Sequence, residues 1–279
     1  MSATLSSTLS AVQSRRNVRA RHNLRIAVAR IALFVAVTGL WQLGSNLNLI
    51  DPTVVPSPAA IWASLLKITL NGQLAFHAWI TIQETIGGFL IGAIGGIVLG
   101  FAIGRYPALS EVLDPFILAI YSVPKVALAP LFVVWFGIGI FMKIVLAAVT
   151  VLFIVFFNTL AGVRNVDRDL VDAVWLMGAK PRDVLMKVLV PSAMSWALTG
   201  VRIAIPYALI GAIIGELIAS NRGIGYLISS AASSYDTAGV FAALIVLTVM
   251  AMLLNAIVDE IDRRLSKWKV DASVSIRGT

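Results

Sequence analysis

The 279-residue chain has no cysteine, only two histidines and just 13% charged residues. Without cysteine there is no structural disulfide, no Cys-ligated zinc and no thiol nucleophile. The histidines, His22 and His77, form no HExxH pair, and no GxSxG elbow is present. Intramembrane metalloprotease and serine-hydrolase chemistry therefore lacks its residues. A phosphate-cradling GxxxxGK[ST] loop is also missing, so the chain is not expected to hydrolyse ATP by itself. The Ser229-Ser230 and Ser233-Ser234 pairs have no nearby His and read as loop and helix-cap residues.

What is present is apolar. Hydrophobic residues make up 59% of the chain and the mean hydropathy is +0.91. A soluble domain has about half apolar and a quarter charged residues, so this chain has too little polar surface to cover a water-facing fold. The formal charge of +8 does not point to nucleic acid, because the cations flank apolar stretches instead of forming a patch. Six stretches, near 31–50, 77–103, 115–137, 144–162, 193–218 and 238–258, approach or exceed the roughly 20 residues that cross a bilayer as helix. The third is interrupted at Pro124 and Pro130 and is expected to bend or unwind there. Between the first two lies a Pro-rich loop and a short amphipathic helix over 61–70 with Trp62 at the interface.

Residues 1–25 are Ser- and Arg-rich and are expected to form a flexible basic tail; residues 26–265 form the membrane domain and 266–279 a second tail. The apolar stretch from Ile26 runs too far for a cleaved secretory signal, and a positive-inside tail is preferred to an organellar transit peptide. Most of the 22 Lys and Arg residues fall in the N-terminal segment, in the 164–187 loop and in the C-terminal tail. By the positive-inside rule both termini and that loop face the cytoplasm. Glycines 88, 92, 96, 100 and 104 recur every four residues on one helix face and are assigned to packing, within or between subunits.

Four ionisable residues fall within spans: Glu84, Lys125, Arg202 and Glu216. Charges at this depth face a cavity or a partner. Arg202 can snorkel, and at 1.5 Å per residue it lies roughly 21 Å from Glu216, too far to pair. Lys125, after Pro124 at the helix break, is the candidate for a pathway residue, and Glu84 is its expected ion-pair partner.

The most informative stretch runs from Asp172 to Pro191. Apolar periodicity to Met177 ends at Gly178, a candidate C′ glycine with positive φ, and Pro181 opens a second helix at its first position. An ordinary surface hairpin is the plain alternative. The spacing Asp172-Ala173-Val174, Gly178, Val188, Val190-Pro191 resembles the signature of ABC-importer permeases. Pro124-x-x-Ala127-Leu128-Ala129-Pro130-Leu131, Trp135-Phe136-Gly137-Ile138-Gly139 and Arg222-Gly223-Ile224-Gly225-Tyr226 resemble its nitrate/taurine/alkanesulfonate branch. That branch often has Arg where Glu84 stands.

The resemblance implies an all-α, six-helix type I importer permease of the bacterial inner membrane, with a cytoplasmic coupling hairpin at about 168–190. It implies a homodimer working with two ATPase subunits, which would bind ATP and Mg, and with a periplasmic or lipid-anchored solute-binding protein. The solute would be small and anionic, a sulfonate, nitrate or similar. Asp172, Ala173, Gly178, Ala179 and Pro191 would carry the coupling, with Pro191 stopping the second helix of the hairpin. A passive channel is the alternative, but it has no use for the hairpin. Single cysteines at Ser2, Lys180 and Lys267 should label from the cytoplasm and those at Asn71 and Tyr235 from outside; external labelling of position 180 would overturn the orientation.

Overall fold

The computed structural model describes Ser2 to Leu265, which are helical apart from short connections. The expected tail at 266–279 lies outside the described residues. Contacts divide the chain into two units, residues 1–64 and 65–279.

In the first unit, helix α1 (Ser2–Asn46) contains a span over Arg25–Asn46 with none of its most apolar window buried. Residues 2–25, in the stretch expected as a flexible tail, are helical and form the start of α1. Once the span has nucleated a helix, propagation through residues without Pro or Gly adds one bond per residue. Helix α2 (Pro58–Leu70) starts where Ala59 donates its N–H to Gln42 Oε1 at 3.0 Å. In the loop before it, hydrogen bonds from the Thr53 hydroxyl and N–H hold the Asp51 carboxyl below its ordinary range.

In the second unit three long helices form the frame: α3 (Gln73–Gly104), α6 (Ile140–Arg164) and α9 (Val190–Ile218), with α6 packed along both others. The glycine ladder of α3 makes the first contact. A Cβ on Gly88 would lie 2.4 Å from Ala147 Cβ, on Gly92 2.4 Å from the Ala148 carbonyl, and on Gly100 2.6 Å from Thr159 Cβ. Gly96 and Gly104 meet Val155 and Val163 in the same way. Each ladder glycine touches a residue 59 positions later, so α3 and α6 run parallel in fixed register. Packing is thus within the subunit. Against α9, α6 runs antiparallel, with Gly200 against Asn158, Gly211 against Ala147 and Gly215 against Lys143.

Helix α4 (Pro107–Ser122) and helix α5 (Ala129–Phe136) form the interrupted span, bent by 78°. The break falls at Val123-Pro124, followed by a 3₁₀ turn over Lys125–Leu128; Pro130 sits in the first turn of α5, where its missing N–H costs nothing. Counting the bent pair as one span, six segments among the described residues are long and apolar enough to cross a membrane. Helix α7 (Arg168–Leu176) and helix α8 (Pro181–Val184) form the hairpin.

The second arm of the hairpin does not stop at Pro191. A π turn over Leu185–Leu189 joins α8 to α9, and the Val190 N–H reaches back to the Leu185 carbonyl. A proline ring clashes with the carbonyl four residues earlier in an α-helix; the wider π turn lets the chain continue. Helices α10 (Ile224–Ser233) and α11 (Thr237–Leu265) close the unit, burying Ile224, Ala243, Val246 and Met250 against Leu209 and Ile213. Ser229, Ser230 and Ser233 therefore lie on a helix, and the Ser233 and Ser234 hydroxyls back-bond to the carbonyls of Ser229 and Ser230.

Adding one methyl tests the ladder. Gly92→Ala pushes into the Ala148 carbonyl and should cost about 1–3 kcal/mol, seen as a lowered melting temperature. Gly95→Ala, which meets only the mobile Leu152 Cδ1 at 3.3 Å, should be close to neutral. Equal effects would contradict the register.

Candidate functional site

The hairpin is built by local chemistry. Asp167 caps α7, its carboxylate accepting the Asp169 N–H at 2.9 Å. The helix ends in a Schellman motif: the Gly178 N–H reaches the Trp175 carbonyl at 2.9 Å, and the Ala179 N–H reaches the Val174 carbonyl at 3.2 Å. Gly178 has φ +79° and no atom within 4 Å of where a Cβ would stand. Its requirement is conformational, not steric. Pro181 follows at the first position of α8, where Asp183 accepts the Lys180 N–H at 3.3 Å and pairs with Lys187 at 2.8 Å.

Asp172 and Ala173 are exposed on α7, Ala179 is half-buried and Pro191 is exposed, while Val184 and Val188 anchor the second arm in the interior. At the tip, Leu176 and Met177 are 90% and 85% exposed. They mark an apolar tip that periodicity counts as core. Beside the hairpin, Arg164 at the end of α6 makes two 2.8 Å contacts with Asp114 of α4 and bonds the buried Ser110. These residues, with Arg105 and Val171, line a cavity of about 490 Å³.

The opposite end of the frame holds a buried polar cluster. Glu84 is fully buried and pairs with Lys143 at 2.8 Å, not with Lys125. Position 143 is 59 residues after Glu84, so the ion pair is one further rung of the glycine ladder. Lys143, which the six sequence spans leave just before the fourth, lies in the first turn of α6 and is 3% exposed. It also donates to Ser220 Oγ at 2.7 Å. Lys125 donates to the Tyr121 carbonyl and stands 4.0 Å above the Tyr121 ring and 5.3 Å from that of Phe153. The pairing expected between Lys125 and Glu84 is thus replaced by two separate arrangements, because the break at Pro124 turns Lys125 back over its own helix end.

Glu216 is 1% exposed. It accepts the Thr81 hydroxyl at 2.7 Å and the Gly225 N–H at 2.6 Å, so it caps α10 from across the α9–α10 turn. Thr81 Oγ1 in turn accepts the Ile224 N–H at 2.9 Å, and His77 Nδ1 accepts the Gly223 N–H at 2.9 Å. Gly223 has φ +102°, and a Cβ there would fall 2.0 Å from Glu216. Arg202 is exposed on α9, away from this cluster as its spacing requires. Sequence reasoning missed Lys143, Thr81, His77 and Ser220; the signal that finds Lys143 is the four-residue repeat continued one step outward from Gly88.

The chain is similar to known proteins. The family model described as the binding-protein-dependent transport system inner membrane component matches residues 92–267. The chain is 33% identical to the putative aliphatic sulfonates transport permease protein SsuC of Bacillus subtilis, over 86% of this chain and 87% of that one. It is 31% identical to the taurine transport system permease protein TauC of Escherichia coli, over 87% and 89%. The riboflavin transport system permease protein RibX of Chloroflexus aurantiacus is also 31% identical, over 82% and 85%. In fold it is similar to a chain of the MetNI methionine ABC transporter in an inward-facing conformation, with TM-score 0.55 and 22% identity over 67% of this chain and 93% of that one.

The two lysines should respond differently to removal. Lys143→Met strands a buried carboxylate and should cost about 3–5 kcal/mol. Lys125→Met loses a half-exposed cation–π contact of about 1 kcal/mol. Melting temperatures of the purified variants at neutral pH check the order; a larger loss for Lys125→Met would refute it.

Proposed function

We propose a working cycle from one premise: the chain belongs to the family of binding-protein-dependent transport system inner membrane components. It is the membrane-spanning permease subunit of an ABC importer, with the type I importer fold and a multi-pass place in the inner membrane. Two copies form the pathway, and two ATPase subunits bind ATP and Mg and carry out hydrolysis. A solute-binding protein delivers the cargo on the other side of the membrane. Both termini and the α7–α8 hairpin face the cytoplasm, as the placement of Lys and Arg supports.

The observation that carries this reading is the hairpin itself. Its capped first arm ends in a glycine turn that presents Leu176 and Met177 to the outside, and its second arm continues directly into α9. Exposed apolar residues on a rigid tip need a partner to cover them, and an ATPase cleft is that partner. ATP-driven closure moves the hairpin, and the helices switch between inward- and outward-facing arrangements around the pathway. Asp172, Ala173, Gly178 and Ala179 shape the contact; Pro191 sets the π turn where the hairpin meets α9. Lys125, Glu84, Arg202 and Glu216 are the span charges available to the pathway or to its support. The cargo is a small anionic solute of the sulfonate type. The sulfonate and taurine relatives support this, and the riboflavin relative, as identical as the taurine one, marks how little overall similarity constrains the solute.

Gly178→Val places a β-branched residue at φ +79°, a strain of about 1–3 kcal/mol confined to the hairpin. Ala173→Glu places a charge on the exposed face of α7. Both variants should reach the membrane at normal levels yet bind the ATPase weakly, or hydrolyse ATP without responding to the loaded binding protein. Uptake at the unmodified rate in both would refute the coupling role and favour a passive channel.

A further inference from the structure

The buried cluster has more acid than base. Lys143 is its one ammonium, and Glu84 and Glu216 are its two carboxyls, brought together from α6, α3 and α9. Glu84 Oε1 takes the Lys143 bond, but Glu84 Oε2 is buried with no hydrogen-bond donor. The Glu216 carboxyl belongs to the same cluster: Thr81, one turn before Glu84 on α3, bonds Glu216, and the Lys143 stem that reaches Glu84 packs against Gly215 beside it. Both Glu216 oxygens already accept, from Thr81 and Gly225.

The other titratable groups around the cluster do not balance it. His77 accepts a backbone N–H at Nδ1 and is therefore the neutral tautomer carrying its proton on Nε2. Tyr226 of α10 packs beside that ring. The exposed Arg222 guanidinium lies over the Phe76 ring and makes no ion pair with either carboxyl, although it lines the same cavity of about 420 Å³ as Glu84 and Lys143. Helix α5 carries no charged residue. Fully ionised, the cluster would hold a net charge of −1 with two carboxylates facing each other out of water, an arrangement that like-charge repulsion and burial both oppose.

We propose that Glu84 and Glu216 hold one proton between them, so that the Glu84–Lys143–Glu216 cluster is a neutral proton-binding site at the hairpin-distal end of the helices. The proton sits on Glu84 Oε2 and is donated to a Glu216 oxygen. That gives the orphaned atom a partner and leaves one negative charge for one ammonium. The site also has a mechanical consequence, because Glu216 caps α10 and Glu84 holds α6: the proton joins α3, α6 and the α9–α10 turn. A carboxyl in the unfolded chain is ionised at neutral pH, so folding takes up this proton and the folded state loses stability as pH rises through its release.

Infrared spectra of the purified transporter in heavy water test the idea directly. The unmodified protein should show a protonated-carboxyl carbonyl band at neutral pH. Glu84→Gln and Glu216→Gln should each abolish that band, since either change leaves one carboxylate opposite one ammonium. From neutral to alkaline pH the melting temperature of the unmodified protein should fall more steeply than that of Glu84→Gln. A spectrum without the band, a band that survives Glu84→Gln, or superimposable pH profiles would each overturn the proposal. None of these readouts requires transport, so failure here is separate from failure of the importer reading.

Discussion

The fold depends on how closely α3 can approach α6. In a membrane the lipid tails are as apolar as leucine, so helices are not driven together by a hydrophobic effect and must gain their association from contact. The ladder from Gly88 to Gly104 provides that contact by removing every Cβ on one face of α3. The backbone of α3 then lies against Ala147, Val151, Val155, Thr159 and Val163 in one unbroken register. Gly200, Gly211 and Gly215 of α9 meet α6 as well, and Ala147 and Val155 touch glycines of both neighbours, so α3, α6 and α9 converge on one seam of small residues.

The buried charges are a consequence of this register. Extending the ladder one step beyond Gly88 places Glu84 opposite Lys143, and Gly215 leaves room for the lysine stem beneath α9. An ion pair taken out of water is costly unless its geometry is good and its remaining donors are used. Here the geometry is imposed by five glycine contacts, and a second ammonium bond goes to Ser220. The cluster then fixes the turn after α9, where Gly223 and Gly225 lack side chains because the Glu216 carboxyl occupies the space.

Much of this was legible in the sequence where local rules decide the outcome. Gly178 and Pro181 set the hairpin turn because φ and capping preferences act within a few residues, and the break at Pro124 follows from proline geometry alone. The four-residue glycine repeat announced a packing face. Its partner was not legible, since Ala147, Val151 and Val155 look like any apolar span until the register is known. The same gap explains the misplaced ion pair: Lys143 stands beside the Gly137-Ile138-Gly139 loop in sequence, and only the register with α3 draws it inside. Pro191 was misjudged because a π turn, which relieves the proline clash without ending the helix, leaves no compositional mark.

Continuity through Pro191 changes what the hairpin can do. Had the proline ended the helix, a flexible joint would separate α8 from α9, and displacement of the tip would be absorbed there. Instead one helical run extends from Pro181 to Ile218, 38 residues or roughly 57 Å at 1.5 Å per residue. Glu216 is near the far end of that run, bonded to Thr81 and to the cap of α10. A helix is stiff along its axis, so a shift imposed at Pro181 reaches the Glu216 cluster except for what the π turn and the interior Pro206 take up. The hairpin and the buried cluster are thus the two ends of a single rod. Its passage past α6 is governed by the same small residues that hold the frame together.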